Sequence, residues 1–150
     1  MNLRARLPLV PPNAFLPPVP GDIVYCRFPE IVGKPGPKPR PALVTKIVEF
    51  DDGSIGVSVA YWTSQRVNEL HAGEFAITPG DGEPYRAAGL DFPTKFDLRR
   101  IETLPYNDLW FQVPTRPPFG QTPKLGTLHA SLVKRATAAH NAVQKPAKPS

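Results

Sequence analysis

The chain is poor in the residues that most metal, redox and nucleophile chemistries require. Among its 150 residues are one cysteine, Cys26, and three histidines, His71, His129 and His140. A single cysteine rules out an internal disulfide and a cysteine-based zinc site. Cys26 sits in an apolar run and reads as a small core residue. The histidines lie far apart, without metal-ligand spacing, and read as surface residues. A phosphate-loop signature, a dinucleotide glycine fingerprint and a serine in a nucleophile-elbow context are all missing. The expectation is therefore chemistry without metal or cofactor. No stretch approaches the ~20 apolar residues of a membrane span. The apolar residues 7–10, followed by Pro11 and Pro12, are too short and proline-broken for a signal peptide. Together with the lone cysteine, this predicts a cytoplasmic protein with no membrane contact.

Proline is what the chain has in excess. Twenty-one prolines argue against long helices through most of its length, while 41% hydrophobic and 21% charged residues fit a folded domain with a real core. The net charge of +5 is unevenly placed. Residues 1–106 hold twelve basic and twelve acidic side chains, whereas residues 107–150 hold six basic residues and only Asp108. The body is neutral and the tail is basic, so the overall charge does not by itself mark a nucleic-acid surface on the body.

Three segments follow from the punctuation. Residues 1–20 form a proline-rich arm, expected to lie against the body or a partner subunit. Residues 21–112 alternate β-favouring runs with turns: strands over 23–28, 42–50, 55–62 and 74–78, and an amphipathic edge strand around Phe96 and Leu98. In the third strand Gly56, Ser58 and Ala60 make a small-residue face able to receive another sheet or subunit. Trp110 and Phe111 are expected to end the packed body. Residues 113–150 are a proline-punctuated linker, a helix over 128–143 with Thr127 as N-cap, and a basic tail. The helix stripe is Leu128, Leu132, Val133, Ala136 and Ala139. The fold expectation is mainly β, a small SH3-like barrel with short helices and a C-terminal helix.

Two places can carry chemistry. Arg40 stands between Pro39 and Pro41, and a residue before proline is held extended, so its guanidinium is presented rigidly at a strand mouth. The fork of five donors suits phosphate. Lys38 lies beside it in a glycine- and proline-rich loop. Thr63, Ser64 and Gln65 stand where the third strand becomes loop, a position at which a scaffold fixes polar groups and leaves them open. The structural alternative is that Arg40 pairs with Asp22 or Glu30 and that Thr63 caps a turn.

The order of these pieces resembles a known family. Gly21-Asp22-Ile23-Val24, a glycine-proline loop, Arg40-Pro41-Ala42-Leu43-Val44 and a strand ending in Thr63-Ser64 are similar to the MazF/PemK toxins of type II toxin–antitoxin systems. Gly89-Leu90 with Thr94 is similar to the family's later Gly-Leu…Ser segment. The resemblance spans residues 20–106. It implies an SH3-like barrel, a homodimer, and a metal-independent endoribonuclease (an mRNA interferase) acting on single-stranded RNA. It further implies an antitoxin whose acidic segment covers the RNA site. By the same resemblance Arg40 and Thr63 are catalytic. Lys38, Ser64, Gln65, Lys95 and Asp97 are expected to contact substrate, with Lys95 or Asp97 able to take part in proton transfer. The chain departs from the pattern in its proline arm, its basic tail, and the placement of Arg99 and Arg100 before Ile101 where the family has an arginine after an isoleucine. A non-catalytic barrel that binds nucleic acid or a protein partner is the alternative, and an assembly protein docking through arm and tail is a third.

Overall fold

The computed structural model describes residues 15–144. Six strands form one antiparallel sheet: β1 (Asp22–Cys26), β2 (Arg40–Glu49), β3 (Ile55–Thr63), β4 (Glu74–Ile77), β5 (Thr94–Pro105) and β6 (Lys124–Thr127), in the order β4-β5-β3-β2-β1-β6. A short helix α1 (Glu83–Ala87) precedes β5, and α2 (Val133–Gln144) ends the described chain. The mainly β expectation holds. The closed barrel does not: among the described residues no ladder joins β6 to β4, and the sheet stays open.

The open sheet is covered on both faces. Alternation along β1 sends Ile23 to one side and Val24 and Cys26 to the other, all fully buried. On the first side, Ile23, Leu43, Ala60, Phe75 and Phe96 pack with Leu132 and Ala139 of the C-terminal segment. On the second, Val24, Cys26, Val57 and Val59 pack with Leu104, Tyr106, Trp110 and Phe111. Burying a side chain such as Phe75 or Phe96 contributes roughly 1.5–3 kcal/mol. The first cluster requires α2, and this is why a helix rather than barrel closure shields that face.

Several expectations are corrected here. The packed body does not end at Phe111, because β6 pairs with β1 (Asp22↔Thr127, Ile23↔Gly126) and Leu132 is 2% exposed. The helix starts later than the pattern predicted: a 3-10 turn, Ala130–Leu132, comes first, and its cap is His129, whose Nδ1 accepts the Ser131 N–H. Val133 is exposed, and the inner stripe is Leu132, Ala136, Ala139 and Val143. The small-residue face of β3 is filled from within the chain. The Phe50 ring occupies the space a Cβ at Gly56 would need, and Ser58 Oγ lies 2.7 Å from Thr103 Oγ1. The first half of β5 is no edge, since it pairs with β3 on one side and β4 on the other.

The arm behaves as expected over its described part. Phe15 packs edge-on against Tyr106, and the Tyr106 hydroxyl donates to the Leu16 carbonyl at 2.9 Å. Residues 1–14 lie outside the described chain.

Candidate functional site

Both ends of the site are set by the sheet. Arg40 opens β2 opposite Cys26 of β1. The loop that delivers it is braced from below: Gly36 N–H donates to the Arg27 carbonyl, Arg27 Nη1 donates to the Pro37 carbonyl, and Arg27 Nη2 donates to Gln112 Oε1. At Gly36 a Cβ would fall 2.3 Å from the Phe28 carbonyl oxygen, so only glycine allows this close approach. Two strands of β2–β3 pairing place the Arg40 end beside the Thr63 end of β3.

A break in the β3–β5 ladder supplies a further cation. The partner of Ala60 is Ile101, but the partner of Tyr61 is Asp97, so Leu98, Arg99 and Arg100 bulge out of register. Such a bulge bends the strand and re-aims its side chains. Arg100 swings over the Tyr61 ring at 3.7 Å and lies 5.9 Å from the Phe28 ring. Arg40 lies 5.3 Å over the Trp62 ring. Among the described residues neither guanidinium is in an ion pair, and each lies over an aromatic ring, a contact worth about 0.5–1 kcal/mol at exposed positions.

These groups line a cleft of about 640 Å³. Lys38, Arg40, Thr63, Ser64 and Gln65, read from the sequence as site residues, all line it. Arg100, Tyr61, Trp62 and Phe28 join them. Glu30 is the one carboxylate in the lining, against three cations. Neither Arg40 nor Arg100 is in an ion pair with a described residue; Asp22, offered as a partner for Arg40, instead faces Lys124 at 3.4 Å. Thr63 Oγ1 accepts the Gln65 N–H at 3.1 Å, so its oxygen shapes the turn while its hydroxyl hydrogen remains available to donate.

Lys95 and Asp97 are not in this lining. Lys95 sits opposite Thr63 in the ladder, but its ammonium donates to the Glu69 carbonyl at 2.8 Å and to Glu74 at 3.1 Å. Asp97 accepts from Arg99 Nε at 3.0 Å and from the Arg99 backbone N–H. Burial pushes the Asp97 carboxyl up, yet the Arg99 hydrogen bonds and the nearby Arg99 and Arg100 charges outweigh it and hold it below the usual carboxylate range. Glu74 follows the same logic: burial raises it, and the His71 N–H and Lys95 bring it down further. Cys26, on the sheet's other face, is pushed up to about 12 by burial and stays a thiol. Among the described residues no cluster of three or more His, Cys, Asp or Glu is arranged to hold a metal ion.

The sequence reading missed Arg100, because only the bulge turns it toward Arg40. It also missed the rings beneath the arginines. Tyr61 and Trp62 are adjacent in the third strand, and at its end both flank the cleft. Chemically, the arrangement can bracket a phosphate with two guanidinium forks and two hydroxyls and offer π-faces for unpaired bases. A scan against protein-family models finds no match for this sequence, and a search of curated proteins finds none either.

Proposed function

We propose that the chain is a metal-independent endoribonuclease of the MazF/PemK toxin kind, cutting single-stranded RNA. The observation that carries this reading is the assembly of Lys38, Arg40, Thr63, Ser64 and Gln65, from two separate stretches of sequence, in one cationic, aromatic-floored cleft. The order of motifs supports it as well. Unpaired bases stack on aromatic and guanidinium planes, which a duplex cannot offer them.

The reaction needs no protein nucleophile. The RNA 2′ oxygen attacks the adjacent phosphorus as its proton leaves, the bond from phosphorus to the 5′ oxygen breaks, and that oxygen takes up a proton. The products are a 2′,3′-cyclic phosphate and a 5′-hydroxyl. Arg40 and Arg100 meet the charge growing on the non-bridging oxygens, and Thr63 donates to the same group. Arginine stays protonated, so it is a poor base. Glu30, the one carboxylate of the lining, is the group assigned to receive the 2′ proton. An acidic antitoxin segment is the partner that a cleft of this charge would take, and a cytoplasmic homodimer completes the reading.

Arg40→Ala and Thr63→Val should keep the wild-type melt and lose about 10²–10³ in cleavage rate in EDTA. Cleavage only on added metal, or undiminished cleavage by both variants, overturns the proposal. A second reading, nucleic-acid binding without cleavage, is favoured by one observation: Lys95 and Asp97 are held in their own ion pairs away from the cleft. Arg40→Lys separates the two. A nuclease loses most of its turnover because lysine lacks the fork, whereas a binder loses little affinity.

A further inference from the structure

A second cleft of about 730 Å³ lies across the Arg40–Trp62 wall from the first, and those two residues line both. Its far side is built partly from the family-like body and partly from the segment beyond it. Arg116 and Phe119 come from the segment leading to β6, while Arg86, Asp91 and Phe92 come from α1 and the turn after it. Three arginines face one carboxylate there, and none of Arg40, Arg86 or Arg116 is in an ion pair with a described residue. Phe92 is 62% exposed and Phe119 49% exposed, and the Lys124 ammonium lies 4.5 Å over the Phe119 ring, so two part-exposed rings stand at a cationic cleft.

We propose that this second cleft is the extended-strand subsite of the same RNA site, holding nucleotides that flank the scissile phosphate as the strand crosses the Arg40–Trp62 ridge. The proposal rests on the nucleic-acid reading above and adds to it the residues that would hold the flanking nucleotides: Arg86, Phe92, Arg116 and Phe119. Arginines without an ion pair among the described residues, lining the same cleft as part-exposed rings, match a backbone of phosphates with bases splayed out to stack. The ridge explains the continuity, because Arg40 is within reach of phosphates on both sides. A purely apolar ligand would leave the arginines unused, and a duplex would leave the rings unused. The cleft also explains a local rule of the sequence. At Gly89 a Cβ would come 2.0 Å from the Leu125 carbonyl oxygen, and at Gly126 one would come 2.3 Å from the Ala88 carbonyl carbon. The two glycines let the α1 turn and β6 touch, and Gly89 and Leu125 at this contact both line the cleft.

The test measures the full chain binding fluorescent single strands of four and of twelve nucleotides by anisotropy, with cleavage of each followed in parallel. The variant is Phe92→Ala/Arg116→Ala, whose two side chains are exposed and make no ion pair, so the melt should be unchanged. Losing one stacked base and one phosphate contact should raise the Kd of the twelve-mer about tenfold or more and leave the four-mer within about twofold. The salt slope for the twelve-mer should fall by about 0.7 for the lost phosphate contact. Arg116→Glu should repeat the effect with the rings intact. An unchanged twelve-mer Kd, or equal wild-type affinity for both lengths, overturns the subsite and leaves the nuclease reading standing. Tight, variant-sensitive binding without cutting supports the subsite and overturns the nuclease. A polyglutamate peptide that binds more tightly than RNA, and loses affinity in the variant, assigns the cleft to an acidic protein and overturns the proposal.

Discussion

Replacing Lys95 by alanine separates a structural lysine from a substrate-binding one. Lys95 and Glu74 face each other at 3.1 Å with side chains each 7% exposed, so both charges are nearly out of water. Removing the cation leaves the Glu74 carboxylate with the His71 N–H as its remaining donor, and it strands the Glu69 carbonyl that the ammonium had satisfied. Breaking a buried pair in this way costs about 3–5 kcal/mol. At about 2–4 °C per kcal/mol for a chain of this size, the melting temperature should fall by roughly 6–20 °C. The effect has a pH signature. In the wild type Glu74 titrates below its ordinary range, so its contribution is present above the unfolded-state pKa and is lost as pH falls through the folded one. Without Lys95, burial dominates and the carboxyl moves up, so protonation relieves the variant. The gap between variant and wild type should therefore narrow as pH drops from 7 toward 4. Lys95→Met/Glu74→Gln, which removes both charges, should recover most of the loss. Urea melts followed by circular dichroism measure all three. A loss under about 1 kcal/mol that does not change with pH would refute the argument and return Lys95 to the list of substrate contacts.

Three further outcomes follow from the same geometry. Gly89→Ala, at φ 70° with a carbonyl 2.0 Å from the new Cβ, should lower stability by at least about 2 kcal/mol in urea melts. Leu132→Ala should cost about 2–5 kcal/mol, since Leu132 is 2% exposed in the cluster that joins α2 to the sheet; a loss below 1 kcal/mol would mean that the helix is only loosely docked. Arg100→Ala should weaken RNA binding about ten- to a hundredfold with an unchanged melt, and equal affinity would remove the bulge from the site.

How far the sequence was legible depends on what set each element. Strands β1 to β3 showed in runs such as Ile23 to Cys26 and Val57 to Val59, because local alternation alone places those side chains. Arg40 and Thr63 showed because prolines and a strand end define their backbones. Strand β6 did not: Lys124 to Thr127 has one large apolar residue amid prolines and glycines, and it is a strand only because β1 offers it a free edge. Lys95 and Asp97 read as substrate contacts on an amphipathic edge strand, and what buries them instead is β4, a partner about twenty residues away. Arg100 depended on a ladder slip that leaves no mark in composition.

That last strand also sets a clock. β1 leaves the ribosome about a hundred residues ahead of the segment that pairs with its outer edge. At about 5–20 residues per second, its backbone donors and acceptors stand unpaired for roughly 5 to 20 seconds of synthesis. Until Lys124 to Thr127 arrive, the nascent sheet offers an open template to any other extended chain, and the Arg116 wall of the second cleft has nothing to anchor it. A chain stalled before residue 120 should thus be cut within β1 by added protease, and a chain completed through α2 should resist.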